Sequence, residues 1–175
     1  MKSDPANSDP SVALVAPAPL GAANALDDVR LQRLWLAADR RGWRSLAVVS
    51  ASSATDTLPI AALFAQLSWS YRGQPSVVCD LRDLSMRLID YHIREVHEQA
   101  DTGARVLIAL RSIFENPTSA PVARDADAVV LCMRLGKTSF KAAEQTIKEI
   151  GRERIIGTIL LGANGKGGSS LKTNR

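Results

Sequence analysis

The chain of 175 residues is poor in the side chains that staple folds and carry chemistry: two cysteines, two histidines, two tyrosines and only 5% aromatic residues in all. Two cysteines cannot staple a chain of this length. Both also sit inside apolar runs, Val77-Val78-Cys79 and Val130-Leu131-Cys132, so a disulfide framework is excluded and a reducing cytoplasm fits. No apolar run approaches the roughly 20 residues that cross a bilayer, and direct membrane insertion is not expected. Lys2 is followed by Asp4 and Asp9, and the stretch from Val12 to Ala16 is short and broken by Pro17 and Pro19, so these residues are not expected to act as a secretory signal. Blocks of like charge are missing too. The 22 Lys+Arg and 18 Asp+Glu, net +4, are interleaved along the chain, which describes a mixed solvated surface with no nucleic-acid partner.

What is present is an ordinary globular composition, 46% hydrophobic and 23% charged. Disorder throughout is excluded, and a single domain of this size buries roughly 70% of its unfolded surface. Residues 1–25 hold four of the eight prolines and seven alanines without periodicity; they are read as a flexible arm. From Leu26 a helix is predicted, with Leu31, Leu34, Trp35 and Ala38 at i, i+3, i+4, i+7, Gly42 at its end, and Asp27, Arg30, Arg33 and Arg41 opposite.

The chain then alternates. Strands are predicted at Ser45–Val49, Ser76–Cys79, Val106–Leu110, Ala128–Met133 and Ile155–Leu161. Helices are predicted at Leu58–Tyr71, with Thr57 as N-cap, at Asp83–Ala100, and along Phe140, Ala143, Ile147 and Ile150. Short apolar strands alternating with amphipathic helices define an α/β domain over 26–164: a doubly wound, mostly parallel sheet with helices on both faces. Ligands are expected at the carboxyl ends of its strands. Gly162–Arg175 is rich in Gly, Ser, Asn and Lys, and residues 165–175 are read as a flexible tail.

The loop after the first core strand is Ser50-Ala51-Ser52-Ser53-Ala54-Thr55-Asp56-Thr57. A phosphate-cradling loop needs converging glycine amides, a lysine for the phosphates and a hydroxyl for magnesium. This loop has no glycine and no lysine, and Asp56 repels phosphate. Gly136-Lys137-Thr138 ends like such a motif, but Leu131 stands where its first glycine is required, so it is an ordinary strand-helix junction. His92 and His97 are half a turn out of phase on one helix and cannot share an ion. With neither cysteine in a metal-binding spacing, no metal, cofactor or hydrolase constellation is expected.

Ser45-Leu46-Ala47-Val48-Val49-Ser50-Ala51-Ser52, the helix with Ala61-Ala62-Leu63-Phe64-Ala65, and Asp80-Leu81-Arg82-Asp83 together resemble the cytoplasmic kinase domain of bacterial capsular and exopolysaccharide tyrosine kinases. Those are deviant P-loop ATPases related to the Min and Par partitioning ATPases. Arg124-Asp125-Ala126-Asp127-Ala128-Val129-Val130-Leu131, Arg134-Leu135-Gly136-Lys137-Thr138 and Ile156-Gly157-Thr158-Ile159-Leu160-Leu161 resemble the second half of the same family. Asp27, Arg30 and Arg33 form Asp-x-x-Arg-x-x-Arg, similar to the Glu-x-x-Arg-x-x-Arg element that packs the family's kinase domains into rings.

The resemblance also shows what is lost. Thr57 stands where the family has its phosphate-binding lysine and Leu58 where it has the magnesium-binding hydroxyl. Val78 replaces the first aspartate of the strand-end pair, leaving Asp80, and Ala109 replaces the third strand's aspartate. Arg111-Ser112 stands where the family has Pro-Pro, and the terminal tyrosine cluster is absent, with Tyr71 and Tyr91 inside predicted helices. A hydrogen bond to a charged group is worth roughly 1.5 to 3 kcal/mol, so three lost contacts remove on the order of 5 to 9 kcal/mol. Micromolar binding is only about 8 kcal/mol. Phosphoryl transfer is left without positioning or charge stabilisation.

The resemblance therefore implies a P-loop NTPase-like fold without a functional P-loop, and a pseudo-enzyme. Such a chain is expected to be a scaffold or regulator of exopolysaccharide synthesis and secretion. It would be cytoplasmic and recruited to the inner membrane by a polysaccharide co-polymerase or a glycosyltransferase subunit, with self-association through Asp27, Arg30 and Arg33. The competing expectation is a non-standard nucleotide-dependent ATPase that controls assembly of such a complex.

Overall fold

The segment SLAVVS leaves no polar face, and all six of its residues are buried, as a strand covered on both sides requires. It is the middle of the sheet. The computed structural model describes residues 12–13, 28–53, 55–162 and 171–174. Seven strands, β1 (Val12–Ala13), β2 (Ser45–Ser50), β3 (Ser76–Asp80), β4 (Arg105–Leu110), β5 (Ala128–Arg134), β6 (Ile155–Leu161) and β7 (Leu171–Asn174), form one sheet in the order β1-β3-β4-β2-β5-β6-β7. The five inner strands are mutually parallel, and the two outermost are antiparallel to their neighbours. The doubly wound α/β class expected from sequence is the class observed.

The helices are α1 (Val29–Asp39), α2 (Leu58–Arg72), α3 (Ile89–Asp101), α4 (Ser119–Asp125) and α5 (Phe140–Ile150). Because side chains alternate across a strand, the sheet has two faces. Leu46, Val48, Val78, Leu107, Ala109 and Val130 pack with α1 and α2, while Ala47, Val49, Val77, Ile108 and Val129 pack with α3, α4 and the end of α5. Gly157 on β6 lets α1 come close: a Cβ there lies 2.4 Å from Leu34 Cδ1.

Several elements differ from the sequence expectation. The first helix begins at Val29, where the Asp28 carboxylate accepts from the Arg30 amide. The helix expected from Asp83 begins at Ile89, after a 3-10 turn at Met86–Leu88. Asn116 explains the delay, because its side chain donates to the carbonyls of Arg82 and Leu84 and holds them in a loop. Helix α4 was not expected at all; it is one short unit with Pro121 in its first turn, where the missing amide breaks no ladder bond. Val12–Ala13 and Leu171–Asn174, read from sequence as parts of an arm and a tail, are edge strands. Segments this short carry no detectable period, and the sheet edge supplies their hydrogen-bond partners.

The amino end of the sheet is closed by two carboxylates. Asp39, ending α1, accepts from Arg105 Nη2 at 2.6 Å and from Arg72 Nη2 at 2.5 Å. The Arg105 guanidinium carbon stands 4.5 Å from the Trp43 ring centroid and 5.6 Å from that of Trp35, so the cation is sandwiched between indole faces. Asp127 Oδ2 accepts the amides of Arg44 and Ser45 at 2.8 and 2.9 Å, tying the α4–β5 junction to the start of β2. Replacing Asp127 with alanine is expected to lower unfolding free energy by about 1.5–3 kcal/mol, the worth of a hydrogen bond to a charged group. The check is a lower urea midpoint at unchanged slope.

Candidate functional site

In an open parallel sheet the crevice outside the carboxyl ends of the strands is where ligands bind. Here it is lined by the β2–α2, β3–α3, β4–α4 and β5–α5 loops. The β2–α2 loop folds on itself. Ser50 Oγ donates to the Ser52 carbonyl, the Ser52 amide donates back to Ser50 Oγ at 3.2 Å, and the Ser52 and Thr138 hydroxyls are joined at 2.8 Å. Thr138 Oγ1 also accepts the Arg134 amide at 2.9 Å. The Gly136-Lys137-Thr138 turn, with Gly136 at φ +74°, therefore closes on the strand it follows and bridges to the neighbouring loop. No described residue of 50–57 has positive φ, the conformation through which successive amides converge on an anion.

The start of α2 carries the group that decides the site's character. Asp56 Oδ1 accepts the Leu58 amide at 3.1 Å, and Pro59 follows with no amide to donate. The position at which a helix N-terminus attracts an anion is taken by the chain's own carboxylate. Arg82 holds that carboxylate from the other side: Nη1 donates to Asp56 Oδ1 at 2.7 Å, while Nε and Nη2 grip Asp80 at 2.7 and 2.6 Å. Arg82 hydrogen bonding, opposed by partial burial and helped by the Arg111 charge, holds the Asp80 carboxyl below its ordinary value. The same pairing raises Arg82. Beside them Arg111 pairs with Asp83 at 3.0 Å, and Thr118 Oγ1 donates to the Leu84 carbonyl, fixing the loop that carries Arg82.

The sequence-derived positions are thus partly gathered. Asp56 and Asp80 meet, but through Arg82, whose role the sequence did not announce beyond its place two residues after Asp80. Thr57 occupies the N-cap position, yet its hydroxyl does not cap. With the residue 1% exposed, the hydroxyl instead donates to the Leu110 carbonyl at 2.9 Å, which satisfies a buried donor. Leu58 packs against the core. Val78 and Ala109 lie buried beneath α2 in the same cluster, Ala109 in register with Val48 and Asp80. Tyr71 and Tyr91 lie in helices.

The first-helix motif is elsewhere. Asp27 lies outside the described residues, Arg30 is bound to Asp28 at 2.8 Å, and Arg33 is exposed. His92 and His97 bond to different carboxylates, Glu95 and Asp125; His92 is 2% exposed, more buried than a surface residue. Burial first, and then the Glu95 charge, push the Cys79 thiol up to about 12, and full burial pushes Cys132 higher still. Neither is a thiolate nucleophile at neutral pH.

These features define a mostly parallel α/β domain whose carboxyl-end loops are joined to one another by ion pairs and a hydroxyl bridge. No family model matches the chain, and no curated protein matches it. Among solved structures it is similar to the kinase domain of the Escherichia coli tyrosine kinase ETK, with 13% identity over 84% of this chain and 66% of that one, at a TM-score of 0.43. The chain thus spans less than two thirds of that neighbour's length. Among the described residues, no helix is long and apolar enough to cross a membrane.

Proposed function

We propose that this chain is a catalytically inactive, kinase-like domain that acts through protein contacts as a scaffold or regulator of bacterial exopolysaccharide synthesis and secretion. The observation that carries the inactive character is the Asp56–Arg82–Asp80 cluster at the start of α2. A nucleotide phosphate placed there meets a carboxylate where it needs amide donors. The arginine that could neutralise it is held by two aspartates, and the metal-holding carboxylates are replaced by Val78 and Ala109.

The polysaccharide context rests on the sequence resemblance. It suggests recruitment to the inner membrane by a co-polymerase or a glycosyltransferase subunit. Of the two contacts the resemblance implies, a foreign partner is favoured over self-association, because Arg30 is already ion-paired within its own helix. Thermal melts with millimolar ATP and magnesium test the inactive reading. The expected midpoint is the same with and without nucleotide. A saturable rise of several degrees overturns this function in favour of a nucleotide-driven assembly ATPase.

A further inference from the structure

The outward face of α1 is a narrow stripe with one sign of charge. At 100° per residue, Val29, Arg33, Leu36 and Arg40 fall within about 60° of one another over about 16 Å of helix. They stand opposite the buried Leu31, Leu34, Trp35 and Ala38. Val29 and Leu36 are 56% and 47% exposed, and Arg33 and Arg40 are exposed.

These two arginines differ from most others here. Arg30, Arg44, Arg72, Arg82, Arg105 and Arg111 all have carboxylate partners, and Arg41 donates to the Glu153 carbonyl. The side chains of Arg33 and Arg40 have neither a hydrogen bond nor an ion pair among the described residues. The described acids flanking them along α1 are engaged elsewhere: Asp28 is bound to Arg30, and Asp39 to Arg72 and Arg105.

We propose that this stripe docks an acidic amphipathic helix of a partner protein, one with two acidic residues seven positions apart facing Arg33 and Arg40 and an apolar residue between them against Leu36. Residues seven apart return to the same face after two turns, about 10.5 Å along the axis, so the two arginines match such a pair along parallel or antiparallel axes. The stripe's shape disfavours other occupants. A membrane-lying helix needs a wide apolar face in the lipid, whereas the apolar face of α1 is already buried against the sheet and only Val29 and Leu36 point outward. A second copy lacks the complement, because none of α1 to α5 carries acidic residues seven apart. This inference rests on the reading that the chain works through contacts, and the ATP melts test that reading separately.

The test uses the full chain and a synthetic alanine-rich helical peptide carrying two glutamates seven apart with a leucine between them, read by fluorescence anisotropy. The glutamate peptide is expected to bind and its lysine counterpart not to. Arg33→Glu with Arg40→Glu, both at exposed positions, is expected to weaken binding by about tenfold or more, as like charges brought together do, with an unchanged thermal midpoint. Leu36→Ser is expected to weaken it as well. Equal binding of both peptides, or no effect of the double reversal, overturns the proposal. Two further outcomes also overturn it: binding to phosphatidylglycerol vesicles that the reversal abolishes, which assigns the stripe to a lipid surface, and a concentration-dependent dimer that the reversal dissociates, which assigns it to a second copy.

Discussion

Replacing Asp39 with alanine is expected to destabilise the domain by about 3 to 5 kcal/mol, the usual effect of stranding one member of a buried ion pair. Arg105 is 7% exposed, and its Nε and Nη1 have no acceptor among the described residues; among these residues the Asp39 carboxylate and the faces of Trp35 and Trp43 compensate its charge. Without Asp39 the cation remains buried beside two indoles. Asp39→Asn keeps an acceptor and is expected to cost less. The double variant Asp39→Leu with Arg105→Met is expected to recover most of the loss, because removing both charges leaves no uncompensated ion. A midpoint shift for Asp39→Ala no larger than that for Asp39→Asn would show that the charge is not what matters.

The same carboxylate sets the acid limit. Burial alone raises Asp39, but hydrogen bonds from Arg72 and Arg105 outweigh it, and the folded-state carboxyl lies below its ordinary 3.8. Asp127 is lowered as well, the amides of Ser45 and Arg44 outweighing its burial. A depressed carboxyl binds its proton more weakly in the folded state than in the unfolded one. Its contribution is therefore fully present above about pH 3.8 and is lost as pH falls through the folded-state value. Acid titration of unfolding should show a loss below that pH for the wild type and a smaller loss for Asp39→Asn.

The second large effect is expected at Phe64, which has no exposed surface and lies in the cluster joining α1, α2 and the sheet. Phe64→Ala is expected to cost about 3 to 5 kcal/mol through lost burial and the cavity left behind. Phe64→Leu, closer in volume, is expected to cost less than about 1.5 kcal/mol. Domains of this kind have about 5 to 15 kcal/mol in all, so the alanine variant loses a large share of the total. Urea unfolding with an unchanged slope checks both, and equal costs would mean that the site does not distinguish shape.

Much of the core was legible before any coordinates. The four buried positions of α1 were readable from their spacing alone, and the inner strands from runs such as SVVC and VLIAL, because a strand covered on both faces cannot hide its apolar content. The 3-10 turn at Met86–Leu88 was not legible, since MRLIDYHI continues the helical period, and it is Asn116, far along the chain, that holds the preceding loop open. The edge strands were not legible either, for a two-residue strand has no period. At the site, Asp56 and Asp80 were visible as leftovers. Arg82 was not visible as their link, because sequence spacing says nothing about which way a guanidinium turns between two loops. Ser52 and Thr138, 86 positions apart, have no sequence signal to join them.

By itself, then, the sequence determined the class of fold and the buried face of α1, since both depend on local composition and period; on α5 the expected face included Phe140, which is 84% exposed. The scarcity of cysteine, histidine and tyrosine followed in the same way. Only the tertiary structure decided what stands at the start of α2, an aspartate on the helix start gripped by an arginine. It alone decided which arginines are neutralised within the fold and which, such as Arg33 and Arg40 on the outer face of α1, are left exposed without a carboxylate partner among the described residues. Ion pairing is a matter of distance in space, and the chain reveals those distances only once the sheet has brought its loops together.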